Sequence, residues 1–263
     1  MRGMAILFGG LFFLLLAVAS ASAVPTLQLN IEGATYYDNY VIDDGAGHTF
    51  TVNESWFTLD NPFVLDVVGA DKPNAITSIQ DVKLIVSVQQ QFWDPAGSIT
   101  ITGLGDVSGT SATIGASDFT LGYAEPFDDK TFPSHGVFPA YYYVLGLDPL
   151  LVDDPAHREP VYDYNAGYVP GVSTPSGFGD IQQYRVAYDG FFHMHFDLTG
   201  VAYGTGKWAD GVSKFSPFSH DADGPPGPPI PEPSTVMLFV AGLSLLAAIT
   251  RGKGLWAICK GGR

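Results

Sequence analysis

Cysteine is almost missing from this sequence: its 263 residues contain one, Cys259, near the C-terminus. No disulfide can form within the chain, and thiol catalysis has no nucleophile anywhere upstream. Basic residues are scarce as well, 12 Lys and Arg against 27 Asp and Glu. All 27 acidic residues but only seven of the basic ones lie between residues 24 and 233, which gives that stretch a charge of −20. A surface of that sign repels phosphate backbones and excludes nucleic acid as a partner. It favours solubility outside the cell and is compatible with weak binding of a divalent cation, calcium being the candidate. Long helices are lacking too, since no apolar 3.6-residue period between residues 24 and 223 persists beyond about two turns. Catalytic signatures are also absent: there is no Gly-x-Ser-x-Gly elbow, no Walker loop and no His-Glu-x-x-His helix.

What remains is a series of short alternating runs. Val24 to Ile31, Phe50 to Val52, Trp56 to Leu59, Val64 to Val68 and Val82 to Val88 read as strands, followed by Ile99 to Ile101, Ala112 to Ile114 and Phe119 to Leu121. Thirty-one glycines and nineteen prolines punctuate the chain too often for long helices. With no internal repeat, the pattern predicts an all-β fold, a two-sheet sandwich or jelly-roll-like single domain over residues 24–223. Roughly 200 residues can bury a sufficient core without covalent help.

The two ends read as targeting segments. Residues 1–23 have the form of a signal peptide: Arg2, an apolar stretch from Ile6 to Val18, then small residues at Ala21 and Ala23, with cleavage expected after Ala23. Residues 224–233 form a stiff Pro/Gly-rich spacer. Residues 234–250 carry no charge and would make a helix of roughly 26 Å, at the lower edge of a membrane span. Residues 251–263 then supply Arg251, Lys253, Lys260 and Arg263, a bias that holds this end on the cytoplasmic side. Pro231-Glu232-Pro233, an apolar helix and a basic end together resemble the PEP-CTERM sorting signal of bacteria that export extracellular polysaccharide. The resemblance implies recognition at Pro231, Glu232 and Pro233 by an exosortase-type processing enzyme, after signal peptidase has acted at the other end. It also implies an inner-membrane precursor whose product reaches the cell surface or the medium. The basic residues here are spread out, where the family has a compact arginine cluster.

Three segments between the ends carry a second likeness. Val24-Pro25-Thr26-Leu27-Gln28-Leu29, Pro133-Ser134-His135-Gly136-Val137-Phe138-Pro139-Ala140-Tyr141-Tyr142, and His195-Phe196-Asp197-Leu198 with Lys214 to Ala222 behind it resemble the choice-of-anchor N proteins. That resemblance implies a domain separable from its anchor and carries no catalytic residue with it. The tyrosine-rich stretch described next is a departure from that family.

Two groups of residues are candidates for chemistry. In Phe191-Phe192-His193-Met194-His195-Phe196-Asp197-Leu198, alternation puts His193, His195 and Asp197 on one face of a strand. They could ligate a transition metal if His135 or His220 completed the set; the plainer reading is an ordinary solvated face. Residues 149–180, without periodicity, read as a long loop whose Tyr162, Tyr164 and Tyr168 could stack on sugar rings, or could simply cover the edge of the core. The pairs Asp43-Asp44, Asp128-Asp129 and Asp153-Asp154 read as turns. Asp221-Ala222-Asp223-Gly224 resembles the start of a calcium loop without its later ligands. Three functions stay open at this point: a non-catalytic structural or adhesive domain associated with extracellular polysaccharide, a metal-assisted extracellular hydrolase, and a calcium-dependent carbohydrate-binding module.

Overall fold

The computed structural model describes residues 24–43, 49–52, 54–71, 75–122, 139–165, 167–217 and 221–224. The expected signal peptide, Pro231-Glu232-Pro233, the apolar segment 234–250 and the basic tail lie outside these residues, as do His135 and His220. Among the described residues no helix is long and apolar enough to cross a membrane. The fold is all-β, and the only helical pieces described are single 3₁₀ turns.

The strands form two large sheets and one ribbon. In the smaller sheet, β1 (Leu27–Ile31), β6 (Phe63–Ala70), β13 (Gly177–Asp189), β8 (Ser98–Gly103) and β9 (Ser111–Gly115) lie in that order, and β12 (Glu159–Val161) pairs with β13. In the larger sheet the order is β10 (Thr120–Gly122), β11 (Ala140–Gly146), β7 (Ile76–Gln89), β14 (Met194–Gly204), β16 (Asp221–Gly224), β5 (Ser55–Phe57) and β2 (Thr35–Tyr37), with β15 (Val212–Phe215) also on β14. β3 (Tyr40–Asp43) and β4 (Thr49–Val52) make the ribbon. Pairing is antiparallel except between β16 and β5.

Alternation along the strands builds the core. Leu27, Leu29 and Ile31 of β1 and Leu65 and Val67 of β6 belong to one buried cluster with Leu84, Val86 and Val88 of β7 and Phe196 and Leu198 of β14. Each fully buried aliphatic side chain of this kind contributes about 1.5–3 kcal/mol relative to exposure. The inner strands are unusual in being buried on both faces. All five residues of β1 are buried, Gln28 and Asn30 included, and so are Met194 to Gly200 of β14. A further layer therefore covers the outer face of each sheet. Phe50 of the ribbon packs against Phe57 of the larger sheet and against Phe92, Phe192 and His193, which flank its strands β7 and β14. The segment from Tyr162 onward lies against Gln28 of the smaller sheet.

The stretch 149–180 is not wholly a loop. Leu150 exchanges backbone hydrogen bonds with Ile79 and is fully buried with Val152; Glu159 to Val161 form β12, and Gly177 to Asp180 open β13. Gly177-Phe178-Gly179 looks like turn chemistry in sequence, yet Gly179 is there for close approach. A Cβ at Gly179 would fall 1.9 Å from the carbonyl oxygen of Gly69 on the neighbouring strand.

Candidate functional site

The histidine cluster starts from the pleat of β14. Met194, Phe196 and Leu198 join the core, which turns His195 and Asp197 to the outer face of the larger sheet. On that face His195 stands in register with Ser87 of β7 on one side and Asp223 of β16 on the other. His195 Nδ1 lies 2.9 Å from Asp223 Oδ1, and its Nε2 lies 3.3 Å from Asp197 Oδ1. His193 Nε2 is 3.0 Å from the same Asp223 oxygen. That nitrogen comes close to the carboxylate without the alignment of a hydrogen bond.

The face carrying these groups is not solvated, which corrects the plainer of the two sequence readings. His193, His195, Asp197 and Asp223 are 4%, 6%, 4% and 3% exposed. The Phe50 ring sits 4.1 Å from that of His193. Alternation identified the shared face of β14 correctly but could not show that a third layer covers it.

Burial alone would push the His195 pKa down. The carboxylates of Asp197 and Asp223 outweigh that effect and hold it well above its ordinary value. Burial would likewise raise Asp223, but the His195 charge, the His195 hydrogen bond and the close His193 ring draw it far below the usual carboxylate range. The group is therefore an imidazolium clasped by two carboxylates. Among the described residues no set of three or more His, Cys, Asp or Glu is arranged to hold a metal. Both ring nitrogens of His195 face carboxylate oxygens, so a cation could bind only by displacing one of them.

Asp223 is the member that sequence reasoning misplaced. Asp221-Ala222-Asp223-Gly224 is a strand rather than the opening of a calcium loop: it pairs with β14 and runs parallel to β5, and its period of two aims Asp223 at His195. Asp153-Asp154 does form a turn, in which Asp154 Oδ1 accepts the Ala156 N–H.

The tyrosines divide. Tyr164 is 4% exposed and belongs to a second buried cluster with Val24, Trp56, Val68, Ala70 and Val161. It is core and not an exposed platform, which corrects the sequence expectation for that residue. Buried Gln28 fixes the chain around it, donating to the Tyr162 carbonyl at 3.1 Å and accepting the Tyr164 N–H at 2.9 Å. Trp56 Nε1 donates to the Tyr164 carbonyl at 3.1 Å. Tyr162 and Tyr168 are half-buried and line an open pocket of about 410 Å³. Replacing Gln28 with leucine keeps its bulk but orphans a buried N–H and a carbonyl. It is expected to cost about 2–3 kcal/mol in denaturant unfolding and to speed amide exchange at Tyr164.

A larger cavity, about 540 Å³, lies between β13, residues 104–107 and residues 148–159 and shares no residue with the histidine cluster. Asp106, Asp148, His157, Arg158, Glu159 and Asp180 supply its charged groups. Burial raises the pKa of Asp180, although Asp180 accepts the Leu151 N–H at 2.6 Å. Burial and the neighbouring Asp180 raise Glu159. Sequence reading found no sign of this cleft, because its walls come from four separate segments.

No protein-family model matches the chain, and no curated protein matches it. A solved structure of AvmM, which catalyses macrocyclization in alchivemycin A biosynthesis, is similar at 9% identity over 70% of this chain and 96% of that one, with a TM-score of 0.24. A likeness that loose carries no argument about fold or chemistry.

Proposed function

We propose that this chain is an exported, non-catalytic β domain with a structural or adhesive role in association with extracellular polysaccharide. In this reading the domain is a jelly-roll-like sandwich, delivered by residues 1–23 and held at the membrane through residues 234–250. It is sorted at Pro231-Glu232-Pro233. The observation that carries the non-catalytic part is the clasp: both nitrogens of His195 are engaged by buried carboxylates, so the histidine at the centre of the most reactive-looking constellation in the sequence is occupied on both sides. The position of β16 fits the same reading. This strand ends at Gly224, the first residue of the spacer, and its Asp223 is tied to β14 by charge. Tension on the tether would enter the sheet at that clasp.

The alternative, a hydrolase acting on extracellular polymers, draws support from the cleft holding Asp180 and Glu159, whose carboxyls are both raised, and not from His193 and His195.

Expression of the full chain in a polysaccharide-exporting host with an exosortase-type enzyme tests the proposal. Mass spectrometry should find a product that begins at Val24 and lacks the basic tail, recovered with the polysaccharide fraction. Glu232→Ala should leave the tail attached and the protein in the membrane. An unprocessed protein in the cytosol would sink the reading.

A further inference from the structure

We propose that the pocket on the tyrosine segment is a subsite for a neutral pyranose ring; the proposal rests on the polysaccharide reading and gives it a location on the domain. The walls of the pocket include Tyr162, Asn165, Tyr168, Val172, Ser173 and Thr174. The Tyr162 and Tyr168 rings lie 5.3 Å apart at 55°, and both rest on buried Tyr164, at 6.0 Å and 4.7 Å. Two half-exposed rings on a fixed third ring make a stiff aromatic corner. At its rim, Val169 is 50% exposed and Val172 is 74% exposed. These side chains add exposed apolar surface beside the aromatic corner, where the C–H face of a ligand can rest.

The polar lining gives the class of that molecule. A sugar ring presents a flat face of C–H groups together with hydroxyls that both donate and accept. Aromatic faces suit the first, and amide and hydroxyl side chains suit the second. Asn165 Oδ1 accepts the Gly167 N–H at 2.8 Å, and its amide group still carries two N–H donors. Ser173 Oγ accepts the Val169 N–H at 2.8 Å and keeps its own O–H to give. Together with Thr174 and Ser176 these groups offer hydrogen bonds of both senses without a cation. Asp163 in the lining and the net charge of −20 over residues 24–233 select against uronates and sulfated sugars and leave neutral rings.

The corner is also built before any ligand arrives. Gln28 and Trp56, both buried, hold the backbone at Tyr162 and Tyr164, and the Ser176 N–H closes the segment onto Val161 at 2.9 Å. A site ordered in advance loses little entropy on binding.

Trp56 supplies the reporter, since its ring meets Tyr168 edge-on at 5.9 Å. The test titrates the full chain in detergent micelles with cello-oligosaccharides, laminarin, dextran and mannan, with alginate as the charged control, and follows tryptophan fluorescence and affinity electrophoresis. At least one neutral glycan should bind saturably, and alginate should not. Tyr168→Ala and Val172→Glu should each weaken binding about tenfold or more, while Tyr168→Phe retains it. Val172 is too exposed for its substitution to act through the fold, and an unchanged melting temperature in that variant confirms it. Glycan binding that survives Tyr162→Ala, Tyr168→Ala and Val172→Glu alike overturns the pocket and leaves the polysaccharide reading standing. A chain that binds none of the neutral glycans, or that retains only a protein through this segment, overturns both.

Discussion

Replacing His195 with alanine is expected to destabilise the domain by about 3–5 kcal/mol, read as a lower urea midpoint with little change in slope. The loss comes from what stays behind more than from what is removed. Asp197 and Asp223 are 4% and 3% exposed, and the imidazolium between them is what makes their ionised forms tolerable there. Combining His195→Ala with Asp223→Asn should recover part of the loss, since it discharges one stranded carboxylate. A His195→Ala variant as stable as the parent would mean that the clasp contributes nothing. Chelator added to the parent should leave its midpoint unchanged, whereas a metal held by His193, His195 and Asp197 would make it fall.

The same clasp fixes the sign of the pH dependence. His195 has a folded pKa raised above its ordinary 6.5, so its contribution is complete below pH 6.5 and is lost as pH climbs through the folded value. Asp223 is lowered from 3.8, so its contribution is complete above pH 3.8 and is lost only as pH falls through its depressed value. Asp66 works in the opposite sense. Burial raises it to about 6, so the folded state gains as that carboxyl takes up a proton between about pH 6 and 3.8. The three contributions place maximal stability in mildly acid solution, between about pH 4 and 6. The decline on the alkaline side should be much shallower in His195→Ala. A parent whose midpoint still rises from pH 6 to 9 would contradict the assignment of His195 as an imidazolium.

Local pattern carried the reading of the fold further than the reading of the site. Alternation in Leu27 to Ile31, Val82 to Val88 and Ile99 to Ile101 marked β1, β7 and β8, because half of each strand must enter one core. The same alternation put His193, His195 and Asp197 on a common face, yet could not say whether water or another layer lay beyond it. That depends on Phe50, distant in sequence, arriving over His193. Asp223 was misread for a related reason: two acidic residues spaced two apart look alike in a loop and in a short strand, and only pairing with β14 and β5 tells them apart. Tyr164 differs from Tyr162 and Tyr168 through its long-range partners, Gln28 and Trp56, which no local spacing encodes. Charge composition, by contrast, needs no fold: the acidic excess is read from the residues alone.

Trp56→Ala is the second substitution expected to act strongly, at about 3–5 kcal/mol. Trp56 stands at one end of the larger sheet, in register with Tyr36 and Ala222, and reaches the cluster that covers the smaller one. It is 4% exposed, meets Tyr36 edge-on at 5.5 Å and Tyr168 at 5.9 Å, and donates its indole N–H to the Tyr164 carbonyl. Alanine would leave a cavity under the tyrosine segment and orphan that carbonyl together. Trp56→Phe separates the two effects, since it keeps most of the apolar contact and loses only the donor, at about 1–2 kcal/mol. The alanine variant should also open the segment selectively, with amides of residues 162–176 exchanging and proteases cutting there before the sheets unfold. Equal losses in the two variants would show that the hydrogen bond, and not the buried ring, fixes the segment. A loss of stability with the segment still protected would show that Trp56 supports only the sheet edge, leaving Gln28 as the residue that holds the aromatic corner in place.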